Sequence, residues 1–272
     1  TPTWEGLLQL LEGLDVPFAY AWSPVGHLMS VKNSDDLRQA HEQVLQDVVA
    51  FGLRAQQSRP IYQGLVAIRE GAEWAKLDAA QRRCIELKIR AAEHAGVGLD
   101  GEARERFNEI AKELSQIGTD FSNHVLDATK TFELIIKEPA DTEGWPKNLR
   151  QVAAQSYSLT TEDAEATADA GPWRITLDFP SFFPFMQHHQ VRDHREQVYR
   201  AYGQRASSGE WDNSELIGRT LKLRQEQSRL LGFACYAEWS LDAKMAPDVA
   251  AVELMTAELQ AASKGPMEEE FG

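Results

Sequence analysis

The tightest constraint on this chain is an apolar series at steps of three and four: Phe107, Ile110, Leu114, Ile117, Phe121 and Val125, following Asp100 and Gly101. That spacing puts all six on one face of a helix several turns long. Such a helix gains most of its stability by packing its apolar face on neighbours, so the stripe implies a bundle. Neighbours are available between Thr1 and about Thr129. Asn33, Ser34 and Asp35 offer N-caps ahead of Leu37, Val44, Val48 and Phe51, and Ile85, Leu87 and Ile89 lie in a further helix-favouring run. With 43% hydrophobic residues among 272, the chain can bury a full core.

The period then changes. Phe132, Leu134 and Ile136 alternate with Thr131, Glu133 and Lys137, and Trp173, Ile175, Leu177 and Phe179 alternate with Arg174, Thr176 and Asp178. Period-two alternation predicts two strands. Between them lie a short helix after Pro146 and the polar stretch Thr160 to Ala170, too long for a tight hairpin turn. The strands therefore pair only if this insert packs beside them. A breaker from Phe179 to Pro184 follows, and the helical period returns. Asp212, Asn213 and Ser214 cap a helix with Leu216, Ile217, Leu221, Leu230 and Leu231 that stops at Gly232, and Pro247 precedes another with Val249, Val252, Met255 and Leu259. The predicted fold is mainly α, a multi-helix array with a small two-stranded β insert. Residues 1–130 are helical, 131–183 hold the insert and 184–272 are helical again.

A net charge of −14 with no basic stripe argues against nucleic acid as a partner, since phosphate backbones are held by clustered Lys and Arg. No apolar run reaches the ~18 residues a membrane span needs, and the Leu7, Leu8, Leu10 and Leu11 cluster lacks the basic start and cleavage site of a signal peptide. Cys84 and Cys235 are far apart and match no metal or redox spacing, so they read as buried or inert thiols in a reducing compartment. The opening on Thr1 and the stop after Glu268, Glu269, Glu270, Phe271 and Gly272 suggest a piece of something longer.

Gly96, Gly98 and Gly101 match G-x-G-x-x-G, with Asp120 about 20 residues on. A dinucleotide site needs a strand before that loop, but Arg90 to Ala95 continue a helix, so helix-loop-helix is the better reading. His41-Glu42 begins His-Glu-x-x-His, yet Leu45 stands where the second histidine must. On an ideal helix His189 and His194 lie about 140° apart and His188 and His194 about 120°, so neither pair converges on one ion unless the helix breaks. Hydrogen bonds to carboxylates such as Asp193 and Glu196 are expected for them instead. His124, beside the apolar stripe, reads as a packing histidine, and Glu102 and Glu105 as a solvated helix face. Phe179, Phe182, Phe183 and Phe185 read as core more readily than as a groove. There is no G-x-S-x-G elbow and no P-loop. No catalytic residue and no metal ligand is assigned, and the substrate-binding residues stay unknown.

Several collinear segments nevertheless resemble the oligopeptidase A group of the thimet oligopeptidase family of zinc metallopeptidases. They are Ser23 to Ser34, like an early loop leading to a helix; Phe121 to Thr129, like the end of a long helix; Leu177 to Ser181; Pro184 to Met186; Arg195 to Tyr202; Arg205 to Ser207; Trp211 to Ser214; Leu230 to Phe233; and Tyr236-Ala237. The resemblance covers nearly the whole chain. It implies the N-terminal half of a clam-shaped oligopeptidase, with short peptides as substrates and a catalytic zinc domain absent from this chain. The zinc belongs to the full-length enzyme, and this chain would be inactive alone, forming one wall of the substrate channel. Its implied partners are short peptides and the C-terminal catalytic domain, with no nucleic acid and no membrane. A cytoplasmic location, or an organellar stroma or matrix, follows from the same resemblance. The alternative is a stand-alone helical module that binds peptides or a protein without catalysis.

Overall fold

A computed structural model describes residues 2–160 and 166–271. Within the polar stretch Thr160 to Ala170, residues 161–165 lie outside the described residues, as do Thr1 and Gly272. The chain divides into two compact units, Thr1–Gln116 with Thr220–Gly272 and Ile117–Arg219.

In the first unit a π-helical turn, Trp4–Gln9, runs into α1 (Leu10–Val31), followed by α2 (Asp35–Gln56), α3 (Arg59–Glu70) and α4 (Ala79–His94). The starts of α2 and α4 are set by side chains that satisfy free first-turn N–H groups. The Leu37 amide donates to Ser34 Oγ at the start of α2, and Asp78 and Gln81 close a reciprocal capping box on α4. Leu8, Leu65, Ile68, Leu77, Ile85 and Ile89 form the core between these elements. The expected early loop at Ser23 to Ser34 is a correction: α1 runs through Pro17 and Pro24 to Val31, leaving only residues 32–34 as the connection. Proline inside a helix costs about 3 kcal/mol relative to alanine, yet α1 accommodates two.

Gly96, at φ +80°, ends the α4 turn, and Gly101, at φ +51°, opens α5 (Gly101–Lys130), so the glycine triplet is a helix-loop-helix as expected. The stripe on α5 buries Phe107, Ile110 and Ile117, while Phe121 remains 38% exposed.

In the second unit, β1 (Leu134–Ile136) and β2 (Trp173–Ile175) pair antiparallel, Leu134 opposite Ile175 and Ile136 opposite Trp173. The insert packs beside them through α6 (Lys147–Ser158). Ile136, Trp145, Leu149, Trp173, Ile175, Leu177, Phe185 and Val198 share one core. Gly171 is required there, because a Cβ on it would come within 2.5 Å of the Trp173 ring. The strands are shorter than the alternation suggested. Phe179 is no strand residue but the first of α7 (Phe179–His188), where Pro180 occupies an early position at which its missing N–H costs nothing. The stretch read as a breaker is thus a helix start. After α7 comes α8 (Arg192–Gly203).

The last helices are α9 (Ser214–Leu230), α10 (Tyr236–Asp242) and α11 (Val249–Phe271). The Ser214 amide donates to Asp212 Oδ1, and Gly232 takes φ +88° beyond the helix end, as the sequence suggested. α11 buries none of its residues, leaving Leu254, Met255, Leu259, Met267 and Phe271 at least half exposed.

One buried side chain joins three of these helices. Gln57, 2% exposed, follows α2; its Nε2 donates to Ala95 O at 2.8 Å and to Asn108 Oδ1 at 2.6 Å. Arg104 of α5 donates to Gln57 Oε1 at 3.0 Å and to its backbone O at 3.2 Å. Replacing Gln57 by Met keeps the volume and strands these partners. Urea unfolding should give a loss of about 1–3 kcal/mol, whereas Gln151→Met on the exposed face of α6 should stay within about 0.5 kcal/mol of the parent.

Candidate functional site

The histidine cluster is brought together in a way the helical arithmetic did not foresee. α7 ends at His188 and α8 begins at Arg192, so the helix breaks between the two histidines that an unbroken helix would hold apart. His189, 1% exposed, lies near-parallel to Phe185 on one side and His194 on the other, with centroids 4.3 and 5.1 Å away. The Trp145 indole N–H donates to His189 Nδ1 at 3.1 Å. An indole can only donate, so Nδ1 is unprotonated and Nε2 carries the hydrogen, which goes to His194 Nδ1 at 3.0 Å. The expected carboxylate partners, Asp193 and Glu196, are replaced by an indole and a second imidazole. Burial lowers the His189 pKa to about 4, with His194 and the cationic Arg195 acting the same way and Asp141 opposing.

Both nitrogens of His189 are engaged, which leaves zinc no lone pair there. At the other partial match, His41 stacks on Trp22 at 5.2 Å and Leu45 is 7% exposed in the interior of the helical layer. Among the described residues no three His, Cys, Asp or Glu side chains converge. Among the described residues, the side chains at these two partial matches do not present a zinc ligand set.

Other candidates resolve into packing. His124 Nδ1 meets Asn213 Oδ1 at 2.8 Å, with Trp211 at 5.9 Å. Glu102 and Glu105 are exposed. The phenylalanines divide: Phe185 is fully buried and Phe182 stacks on Tyr202 at 3.9 Å, but Phe179 and Phe183 stack on each other in partial exposure. Cys84 and Cys235 are free and partly buried.

A hollow of about 480 Å³ in the first unit was not visible in the sequence. Leu53 and Gln56 of α2, Leu87 and Ala91 of α4, Phe107 and Ala111 of α5 and Gln227 of α9 line it. Arg90 and His94 also line it, and both engage Asp242 of α10: Arg90 Nη1 donates to the Asp242 backbone O at 2.7 Å, and His94 Nε2 lies 2.7 Å from Asp242 Oδ2. Phe233 and Trp239 set their edges against the His94 ring at 5.9 and 6.2 Å. A His–Asp pair can activate a nucleophile, but no serine, threonine or cysteine lines the hollow. What remains is a mostly apolar recess with two amides near a neutralised charge cluster, a chemistry for holding a chain segment by a side chain and its backbone amides.

Comparison with known proteins gives this arrangement a family context. Residues 1–104 match the model of the neurolysin/thimet oligopeptidase N-terminal domain, and residues 185–272 match that of peptidase family M3. The organellar oligopeptidase A of Arabidopsis thaliana, chloroplastic/mitochondrial, is 44% identical over 93% of this chain and 32% of its own length. A probable cytosolic oligopeptidase A of the same plant is 43% identical over 97% of the chain and 38% of its own length. Oligopeptidase A of Escherichia coli (strain K12) is 38% identical over 90% and 35%. The chain spans about a third of the length of these relatives.

The His189 geometry fixes a pH response. Its folded pKa, about 4, lies below the unfolded value near 6.5. Between those values the unfolded chain binds the proton more readily, so this contribution to stability is complete above about pH 6.5 and is lost as pH falls toward 4. The loss totals about 3 kcal/mol. Urea unfolding of the parent and of His189→Phe at pH 7 and pH 4.5 tests this: the gap between them should narrow at the lower pH by most of that amount.

Proposed function

This chain belongs to peptidase family M3, and from that premise we propose that it is the N-terminal, non-catalytic portion of a zinc-dependent oligopeptidase that hydrolyses short peptides, forming one wall of the substrate channel. The observation that carries this reading is the match over 97% of the chain to a relative named as an oligopeptidase A, of which it covers only 38%. Peptidases of this family are zinc enzymes. Among the described residues no zinc ligand set is present, and the reading assigns the metal and the water it activates to the rest of the protein.

Two features support the wall role. The α2–α4–α5 hollow pairs apolar lining with the Gln56 and Gln227 amides, which suits an extended peptide. The exposed apolar residues of α11 are of a kind that a partner surface covers, which supports the C-terminal catalytic domain as that partner. Short peptides are the substrate class in this reading. The location proposed is the cytoplasm, or an organellar stroma or matrix, since relatives named for both compartments match. Among the described residues no helix is long and apolar enough to cross a membrane.

Purified alone, the chain should not cleave a quenched fluorescent peptide with or without zinc, and adding the complementary catalytic portion should restore zinc-dependent cleavage. Robust hydrolysis by this chain alone would overturn the assignment. In the full-length protein Ala91→Trp, which fills the hollow, should raise KM for a short peptide several-fold with kcat within about twofold, the pattern of lost uniform binding.

A further inference from the structure

We propose that Arg192, Arg195 and Arg200 on α8 form a binding site for a phosphate-type dianion, either free phosphate or a small phosphate monoester. These arginines fall at positions one, four and nine of the helix, with Glu196 and Tyr199 at five and eight, which places all five side chains along one side of it. Together with Met186 of α7 they line a second hollow of about 480 Å³.

Charge within this hollow is unbalanced. Glu196, its one carboxylate, is held by Arg200, whose Nε donates to Glu196 Oε1 at 2.7 Å. Among the described residues the side chains of Arg192 and Arg195 make neither an ion pair nor a hydrogen bond, while the Arg195 backbone N–H donates to Val191 O. Arg195 Nε is buried without an acceptor. Buried polar N–H groups are nearly always bonded, so a guanidinium that lines the hollow with its charge unpaired keeps its donor capacity for an oxyanion there.

Three guanidiniums less one carboxylate leave two positive charges, which matches a phosphate group near neutral pH. Guanidinium forks recognise planar or tetrahedral oxyanions by paired N–H bonds, and a phosphate presents enough oxygens for more than one fork. A carboxylate would leave one charge unmatched. A long polyanion is disfavoured by the net charge of −14 on the rest of the chain.

The test is calorimetric titration of the chain at constant ionic strength, pH 7.5, with inorganic phosphate in one arm, phosphoserine in a second and acetate in a third. Saturable binding of phosphate or phosphoserine, at least tenfold tighter than acetate, supports the site. The tighter of the two assigns a free anion or a monoester. Arg192→Gln, at an exposed position whose folding is checked by circular dichroism, should weaken binding about tenfold, the value of one charge-assisted hydrogen bond, and Arg195→Gln should weaken it at least as much. Binding no stronger than acetate, or undiminished affinity in correctly folded Arg192→Gln, would overturn the proposal.

Discussion

The first unit depends on the carboxamide of Gln57. Helix ends leave carbonyls without partners, and a helix end turned inward must find donors elsewhere. Gln57 supplies one to Ala95 O just past α4, and its own oxygen and backbone carbonyl take both donors of Arg104 from α5. The left-handed conformation at Gly96 makes this possible, because it turns the chain after α4 so that the first turns of α5 return to the same point. α2, α4 and α5 are therefore fixed to one another by a fully bonded polar node instead of by apolar contact alone. Such a node specifies one arrangement, since any slide of a helix breaks several bonds at once. The hollow is lined by the same three helices, so its shape is a consequence of that node.

The second unit solves a related problem differently. Trp145, His189 and His194 make a chain of donors in which each nitrogen has one role, and the direction is set by the indole, which cannot accept. The same bonds that satisfy the buried imidazole exclude it from metal chemistry. Its low pKa comes first from burial, with the neighbouring His194 and the cationic Arg195 acting in the same direction. A histidine-rich segment here is a packing device with a titratable core.

How much of this the sequence carried depends on whether a feature is local. The α5 stripe, the Ser34 and Asp212 caps and the glycine turn are set within a few residues, and all were legible. So were the two strands, though neither their antiparallel sense nor their ends, since Phe179 keeps the alternating pattern while Pro180 favours the start of a helix. Ser23 to Ser34 misled because the resemblance carried a loop to this stretch, whereas α1 continues through Pro17 and Pro24 to pack against its neighbours, as the Phe18–Phe51 and Lys88–Glu12 contacts record. The histidine angles assumed an unbroken helix, and the break at His189 is settled by a bond to Trp145, 44 residues away. The hollow was illegible for the same reason: Leu53, Leu87, Phe107 and Gln227 carry no shared motif and meet only after folding.

The two hollows are of equal volume, so size cannot decide what each holds. Charge compensation can. Arg90 in the first is tied to Asp242 through both its backbone oxygen and its carboxylate, leaving apolar walls and amides to meet an uncharged segment. Arg192 and Arg195 in the second have no such tie. The overall charge of −14 does not erase that difference, because exposed charges beyond the screening length of about 8 Å contribute little at physiological salt. Local pairing, not net charge, therefore separates a surface suited to peptide from one suited to an oxyanion, and it does so on a chain whose net charge argued only against nucleic acid.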